Sequence, residues 1–309
     1  MTTVDIIIPV YNRVALIHEA IRSALDEAET LVIVVDDGST DGTWESLRAY
    51  DGNPRALCLQ MPANGGQSAA RNLGLDAATA KYIKFLDSDD VLTPGHLGAE
   101  IRALEETGAD IAVSGWHADT NGRTFTYDAP NFHEIADDVL AGIAVPTSAA
   151  LYVRHPEWRW DPALRKLDDW DYFCQAALSA KRIVTVEGPA YTIREHAGAR
   201  MTNTTMLANS LEHHRILQKI EDRLAADRTL TPARRKRLAQ YFYKELRVLS
   251  LHDRGAFKTA ATHIRALDPA FQPRDEEQQR LMRILARILG FRNAVLFHSA
   301  VKRALKGKR

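Results

Sequence analysis

The first half of the chain alternates short, nearly continuous apolar runs with amphipathic helical patterns. The runs are rich in β-branched residues and cover residues 4–10, 31–35, 56–60 and 81–86. Runs of this kind are typical of parallel strands that are buried on both faces. Helical patterns over 14–25 and 67–78 separate these runs. Such alternation predicts an α/β, Rossmann-like fold, in which helices cover both faces of a mostly parallel sheet.

The pattern continues to about residue 115 and then changes. Thr93 and Pro94 have the residue types of a helix N-cap and first helical position, so we expect a helix to begin there. The run "DIAVSG" at 110–115 predicts a fifth strand. From about residue 203, long helical patterns replace the strand patterns. For a chain of 309 residues, we expect an α/β domain over 1–202 and a helical region over 203–309.

Charge and cysteine content exclude several classes of protein. The 40 basic and 40 acidic residues cancel, so we expect no nucleic-acid partner. Cys58 and Cys174 form neither a disulfide framework nor a metal-ligand pattern. The N-terminus lacks the basic and long apolar segments of a signal peptide, and we therefore expect a cytoplasmic location.

The last thirty residues are the exception to the balanced charge. Residues 280–309 contain nine basic residues and no acidic one, and an apolar helical stripe runs through them. One interpretation is a solvated helix that packs its stripe on the rest of the protein. The other is a basic amphipathic helix in peripheral contact with the anionic inner face of the membrane.

Polar clusters follow three of the predicted strands. Tyr11 comes after the first strand, Asp37 after the second, and the acidic stretch Asp87–Asp90 after the fourth. In sheets of this kind, ligands bind beyond the carboxyl ends of the strands. Mutually repelling carboxylates at that edge predict a divalent cation, which Asp87 and Asp89 are spaced to hold. The alternative for Asp90 alone is an N-cap.

Two further segments carry candidate site residues. Gly65 and Gly66 precede a helix whose inner turns contain Arg71 and Asn72, an arrangement that permits close approach of an anionic ligand. The segment fits neither a P-loop nor a dinucleotide fingerprint. In "RKLDDWDYF", Asp168 and Asp169 are either macrodipole partners of a helix or include a general base whose pKa is raised by apolar packing.

Taken in order, five motifs resemble those of family 2 glycosyltransferases, which have the GT-A fold. They are "IIIPVYN", "VVDDGSTDGT", "NGGQSAARNLGL", "YIKFLDSDD" and "LDDWDYF". The resemblance covers about residues 4–201 and implies an inverting transferase. Its donor would be a nucleotide-diphosphate sugar, its cofactor Mn²⁺ or Mg²⁺, and its acceptor a hydroxyl on a sugar, lipid-linked or other molecule. Cell-surface polysaccharide or glycoconjugate synthesis is the implied process, with donor binding in 1–115 and the acceptor and base region in 116–202.

The resemblance also assigns roles to individual residues. Those assigned to the nucleotide sugar are Pro9, Tyr11, Asp37, Asn64, Arg71, Asp87 and Ser88. Asp89 and His196 are assigned to the metal, and Asp169 to the catalytic base that deprotonates the acceptor. Trp116, His117 and Trp158 are aromatic candidates for stacking on a sugar face.

The chain departs from the family pattern at two positions. The base motif begins with Asp168 where the family usually has Glu, and "AGAR" follows His196 where the family often has a serine pair. A sugar-nucleotide-binding subunit without activity is the alternative function. A nucleotidyltransferase would need a Gly-rich, basic loop after the first strand, and the sequence there is "VYNRVALIHEA".

Overall fold

The computed structural model describes residues 2–195, 206–272 and 295. The predicted metal ligand His196 and, apart from residue 295, the basic tail therefore lie outside the described residues. The chain divides into two compact units, Met1–Ala199 and Arg200–Arg309.

In the described part of the first unit, nine strands form one sheet. They are β1 (Val4–Val10), β2 (Thr30–Asp36), β3 (Ala56–Gln60), β4 (Tyr82–Phe85), β5 (Val91–Leu92), β6 (Ile111–Thr120), β7 (Arg123–Tyr127), β8 (Ala150–Val153) and β9 (Ile183–Ile193). Their order is β3-β2-β1-β4-β8-β6-β9-β5, and β7 pairs with β6 outside this path. All except β5, β7 and β8 run in one direction. The predicted mostly parallel sheet is confirmed.

Helices connect these strands and form the described part of the second unit. They are α1 (Ile17–Leu25), α2 (Thr43–Ser46), α3 (Gln67–Ala77), α4 (His96–Thr107), α5 (Ile135–Val139), α6 (Asp168–Ser179), α7 (Met206–Ala226), α8 (Pro232–His252) and α9 (Arg254–Leu267). Short 3₁₀ turns occupy Leu47–Tyr50 and Thr147–Ala149. The long helices predicted from about residue 203 are confirmed by α7, α8 and α9. No described helix combines the length and apolar character that crossing a bilayer requires.

The central strands are buried on both faces, as their continuous apolar sequences predict. All seven residues of β1 are buried, so side chains that point to either face of the sheet are covered. α3 packs on this strand at Gly74, where an added Cβ would lie 2.5 Å from the Cγ2 of Ile7. Only glycine permits the helix to approach so closely.

The order of the strands in the sheet determines where a ligand site can form. β2 and β3 lie on one side of β1, whereas β4 lies on its other side, so the order of the strands reverses at β1. The loops that leave β1 and β4 diverge at such a reversal and open a crevice at the carboxyl edge, where ligands of α/β sheets bind. The motifs that follow β1, β2 and β4 all reach this edge.

The predicted start of a helix at Thr93 and Pro94 is wrong, because the helix begins later in the structure. The two residues before Thr93 form β5, and the Thr93 N–H donates to the carbonyl of Ala190 at 2.9 Å, which extends the pairing with β9. α4 begins only at His96, after Gly95 adopts a left-handed conformation with φ 74°. Because β5 precedes it, the strand that begins with "IAVSG" is the sixth in the chain and not the fifth.

Candidate active site

The loops after β1 and β2 are joined by hydrogen bonds of Asn12. Its N–H donates to the Ser39 Oγ at 2.9 Å, and its Oδ1 accepts from the Thr40 N–H at 2.8 Å. Asn12 has a φ of 51°, in the left-handed region that Asn adopts more readily than most residues. Tyr11, directly before it, is 43% exposed, whereas Pro9 is buried within β1. The phenol ring is therefore available at the edge of the crevice.

Asp37 holds the glycine loop in place. Its two carboxylate oxygens accept from the N–H groups of Gly65 at 2.7 Å and Gly66 at 2.9 Å. Burial raises the pKa of Asp37, although these two hydrogen bonds oppose the shift. Asn64 is exposed on the same loop. The contacts of Asp37 and Asn64 with a nucleotide sugar stay predictions; the structure adds that Asp37 shapes the loop beside them.

Arg71 is a buried link between the acidic loop after β4 and the start of α6. Its side chain is 2% exposed, and its Nη2 lies 2.7 Å from Asp87 Oδ1, while its Nη1 lies 3.0 Å from Asp168 Oδ2. The guanidinium lies over the ring of Trp160, 4.3 Å from the ring centroid. The predicted contact of Arg71 with a nucleotide sugar stays a prediction, whereas its ion pairs identify it as the residue that positions two carboxylates.

Asp168 is held by α3 from several directions. Besides Arg71, the Gln67 Nε2 donates to both of its oxygens at 2.8 and 2.9 Å, and the Ser68 Oγ donates at 3.0 Å. One turn further along α3, the Asn72 side chain bonds both the N–H and the C=O of Trp160. These contacts fix the segment that leads into α6.

Sequence analysis singled out Arg71 and Asn72 but not Gln67 or Ser68, although a signal was present. The four residues occupy positions i, i+1, i+4 and i+5 of α3, which lie along one side of a helix. A polar stripe on a helix that is otherwise rich in Ala and Gly indicates polar partners elsewhere in the fold.

The adjacent Asp169 has a different environment. It is partly buried and accepts a hydrogen bond from the Trp170 N–H at 2.8 Å. Burial, followed by the charge of Asp168, raises the pKa of Asp169 to about 6, although that N–H bond and Arg71 oppose the shift. A carboxylate with such a pKa accepts a proton near neutral pH more readily than an ordinary Asp. Asp168 is saturated with donors, so Asp169 is the better candidate for a general base.

The acidic loop after β4 sends its side chains to different partners. Asp87 pairs with Arg71 and remains partly exposed, while Ser88 is buried. The Asp89 carboxylate is about one quarter exposed, and its Oδ2 lies 3.6 Å from the Nε of Arg13. Two carboxylates of one loop thus remain partly exposed.

Asp90 and Arg194 connect this loop to the end of β9. Asp90 is buried and accepts from the Arg194 N–H at 3.2 Å; burial and then the charges of Asp87 and Asp89 raise its pKa to about 8. The Arg194 Nε donates to the Asp89 carbonyl at 2.7 Å, and its Nη1 pairs with the carboxylate of Glu19 on α1. The N-cap alternative for Asp90 is therefore wrong, and Arg194 fixes the backbone of Asp89.

The residues present fit a hard divalent cation that takes most of its ligands from a substrate. Mg²⁺ and Mn²⁺ are commonly bound by one or two carboxylates together with phosphates and water. Asp89 and Asp87 supply partly exposed oxygen donors of this kind. Among the described residues, no group of three or more His, Cys, Asp or Glu side chains forms a complete protein cage. The donor set therefore suits an ion that a diphosphate helps to hold.

Comparison with known proteins identifies the class to which this fold and site belong. A superposition on S. aureus TarS 1-349, solved in complex with UDP-GlcNAc, gives a TM-score of 0.70 at 18% identity over 98% of this chain and 92% of that chain. A mannosyltransferase from Pyrobaculum calidifontis, solved with GDP-Man and Mn²⁺, gives 0.50 at 18% identity over 97% and 86%. The fold is the GT-A fold, as the resemblance implied.

The family follows from the sequence. The profile of Glycosyl transferase family 2 matches residues 5–160, and the chain belongs to that family. The succinoglycan biosynthesis protein ExoO of Rhizobium meliloti is 40% identical over 112 residues, which are 36% of this chain and 32% of that protein. The chain spans less than half the length of the curated relatives that it matches.

Proposed function

We propose that this protein is an inverting glycosyltransferase that moves a sugar from a nucleotide-diphosphate sugar to an acceptor hydroxyl, in the synthesis of a polysaccharide or glycoconjugate. The observation that carries the proposal is the division of roles between Asp168 and Asp169. The Asp168 carboxylate is fully occupied by structural hydrogen bonds, whereas the pKa of the neighbouring Asp169 is raised to about 6. An inactive binding subunit would not require a carboxylate whose pKa is raised toward neutral pH.

Each part of the site has a task in such a reaction. Tyr11 and the glycine loop beside Asp37 would receive the nucleoside, and Asp87 the ribose. Asp89 would hold Mn²⁺ or Mg²⁺, which supplies Lewis-acid stabilisation of the charge that develops on the departing diphosphate. Asp169 would take the proton of the acceptor hydroxyl as that oxygen attacks the anomeric carbon. One base opposite the leaving group suffices for a single inverting displacement.

The comparisons support this proposal through the molecules named with the relatives. ExoO is named for the biosynthesis of a polysaccharide, TarS was solved with a UDP-sugar, and the Pyrobaculum calidifontis mannosyltransferase with a GDP-sugar and Mn²⁺. The proposal also includes metal dependence and the transfer of a hexose. Peripheral membrane contact through residues 280–309 also remains a proposal, because only residue 295 of that segment is among the described residues.

The test is an Asp169→Asn variant of the full chain, with Asp51→Asn as the matched control. Asp51 is an exposed turn residue, so the same chemical change there should leave turnover unaltered. In a screen of UDP-, GDP- and dTDP-sugars with Mn²⁺, we expect wild type to consume one donor when an acceptor is added. Asp169→Asn should still bind that donor and lose about 10²–10⁴-fold in turnover. Turnover of Asp169→Asn near the wild-type rate would exclude Asp169 as the base, and absence of turnover in wild type would favour the binding subunit.

A further inference from the structure

The ribbon formed by β6 and β7 carries aromatic side chains on one face. Trp116 lies directly opposite Tyr127 in the antiparallel register, and Ala118 lies opposite Phe125. Residues that face each other across two strands, and residues two apart along one strand, point to the same side. Trp116, Phe125 and Tyr127 therefore share one side of the ribbon, which we name the aromatic face. The rings of Trp116 and Tyr127 stack with centroids 5.3 Å apart and planes 11° apart.

The aromatic face is exposed, whereas the other face of the ribbon is polar and internally bonded. Phe125 is 48% and Tyr127 47% exposed. On the opposite face, the Thr126 Oγ1 lies 3.0 Å from His117 Nδ1, and the Thr124 Oγ1 donates to an Asp119 oxygen at 2.6 Å. The ribbon thus turns its large apolar rings to the solvent and pairs its polar groups with each other. Contiguous exposed apolar surface of this kind marks a binding surface.

Close backbone packing builds the ribbon into the sheet. An added Cβ on Gly115 would lie 2.4 Å from the Tyr127 carbonyl oxygen and 3.2 Å from that of Gly188. Glycine at this position is what allows β7 to return against β6, with Tyr127 opposite Trp116. The stacked pair therefore has a position fixed by backbone contacts.

The ribbon begins beside the acidic loop of the candidate active site. On the other side of β6, Ala118 of the aromatic side pairs with Ile193 of β9. The next residue, Arg194, donates its N–H to the Asp90 carboxylate at 3.2 Å and its Nε to the Asp89 carbonyl at 2.7 Å. These hydrogen bonds join the end of the sheet that carries the aromatic face to the acidic loop.

We propose that the aromatic face of the β6–β7 ribbon binds a saccharide ring of the acceptor and directs its hydroxyl toward Asp169. This inference rests on the proposed function. A pyranose presents one broad face of C–H groups, which packs on an aromatic ring while its hydroxyls stay in water. Tyr and Trp give such contact area at a small cost in conformational entropy. Thr120 and Arg123, opposite each other at the ribbon tip, add hydroxyl and guanidinium donors for those hydroxyls.

The experiment compares two double variants of the full chain with wild type. Phe125→Ala/Tyr127→Ala removes exposed rings from the aromatic face, and Thr124→Ala/Thr126→Ala alters the polar face of the same strand. Each protein is applied to an array of bacterial oligosaccharides and polysaccharides, and its thermal shift with UDP, GDP and dTDP plus Mn²⁺ is measured in parallel. Circular dichroism verifies that all three are folded, which we expect because all four side chains are exposed.

We expect wild type and the polar-face variant to bind the same saccharides. The aromatic-face variant should bind them at least about tenfold more weakly, a loss of about 1.4 kcal/mol, while its nucleoside diphosphate shift is unchanged. The proposal is overturned if wild type binds no saccharide, or if the aromatic-face variant binds as well as wild type. It is also overturned if gel filtration shows a wild-type dimer and the aromatic-face substitutions do nothing except convert that dimer to monomers. Absence of a nucleoside diphosphate shift in all three proteins would instead contradict the proposed function, which assigns donor binding to residues before the ribbon.

Discussion

The buried ion pair between Arg71 and Asp168 makes a strong prediction about stability. Arg71 is 2% and Asp168 4% exposed, and the two atoms of the pair lie 3.0 Å apart. Replacing Arg71 with Leu leaves the Asp168 carboxylate buried, with Gln67 and Ser68 as its remaining donors among the described residues. Removing one partner of a buried pair costs about 3–5 kcal/mol, because the remaining charge is uncompensated. For a unit of this size that corresponds to a fall in Tm of roughly 6–20 °C.

The chain contains a matched control for this change. Arg159 and Asp76 form an ion pair of 2.7 Å, but both side chains are about half-exposed. An exposed pair of this kind contributes about 0–1 kcal/mol, so Arg159→Leu should shift the transition little. The double variant Arg71→Leu/Asp168→Asn should recover about 1 kcal/mol or more relative to Arg71→Leu alone, because the uncompensated charge is removed.

Urea unfolding followed by tryptophan emission is the assay. All five tryptophans of the sequence lie within Met1–Ala199, so the signal reports the unit that contains the pair. If Arg71→Leu costs no more than Arg159→Leu, or if the Asp168→Asn change brings no recovery, then Arg71 does not organise the site as we describe.

Two further predictions concern the reaction. Because the deprotonated carboxylate is the active form and the pKa of Asp169 is about 6, kcat/KM should be level above about pH 7 and fall about tenfold for each pH unit below 6. A profile without a limb near pH 6 in wild type would contradict this. Arg194→Met removes the donor that fixes the Asp89 carbonyl, and we expect Mn²⁺-dependent binding of the donor nucleotide to weaken about 10–100-fold. Calorimetry checks this, and the variant Lys81→Met, which alters an exposed pair on the same unit, should bind normally.

The first four strands of the chain could be predicted to within one residue at either end, whereas β6 extends to Thr120, five residues beyond its predicted end. Buried parallel strands are continuous apolar runs, and this signal is local: β1 and β3 have the predicted bounds, while β2 and β4 differ by one residue at each end. β5 could not be found in this way. It has two residues, and it is defined by pairing with β9 about a hundred residues later. The same pairing draws Thr93 into the sheet and delays the helix to His96.

The candidate site could likewise be predicted only where the sequence signal is local. The motifs predict which segments meet at the carboxyl edge, because strand ends of a parallel sheet converge there. The family resemblance assigns the base to Asp169, but the residue types alone do not distinguish it from Asp168, since the two residues are chemically identical neighbours. The distinction comes from Gln67, Ser68 and Arg71, about a hundred residues earlier, which occupy one carboxylate and leave the other. The aromatic face depends likewise on the register of β6 against β7, although the alternation in "RTFTY" was a readable strand signal.

The central claim is that the carboxyl edge of the sheet binds a nucleoside diphosphate together with a divalent cation held by Asp89. Isothermal titration of UDP, GDP and dTDP into the full chain, with Mn²⁺ and with EDTA, tests it most directly. We predict that at least one of them binds, that EDTA weakens the binding severely, and that Asp89→Ala abolishes the effect of Mn²⁺. Binding that is equal with Mn²⁺ and with EDTA, or a full Mn²⁺ effect in Asp89→Ala, would contradict the account.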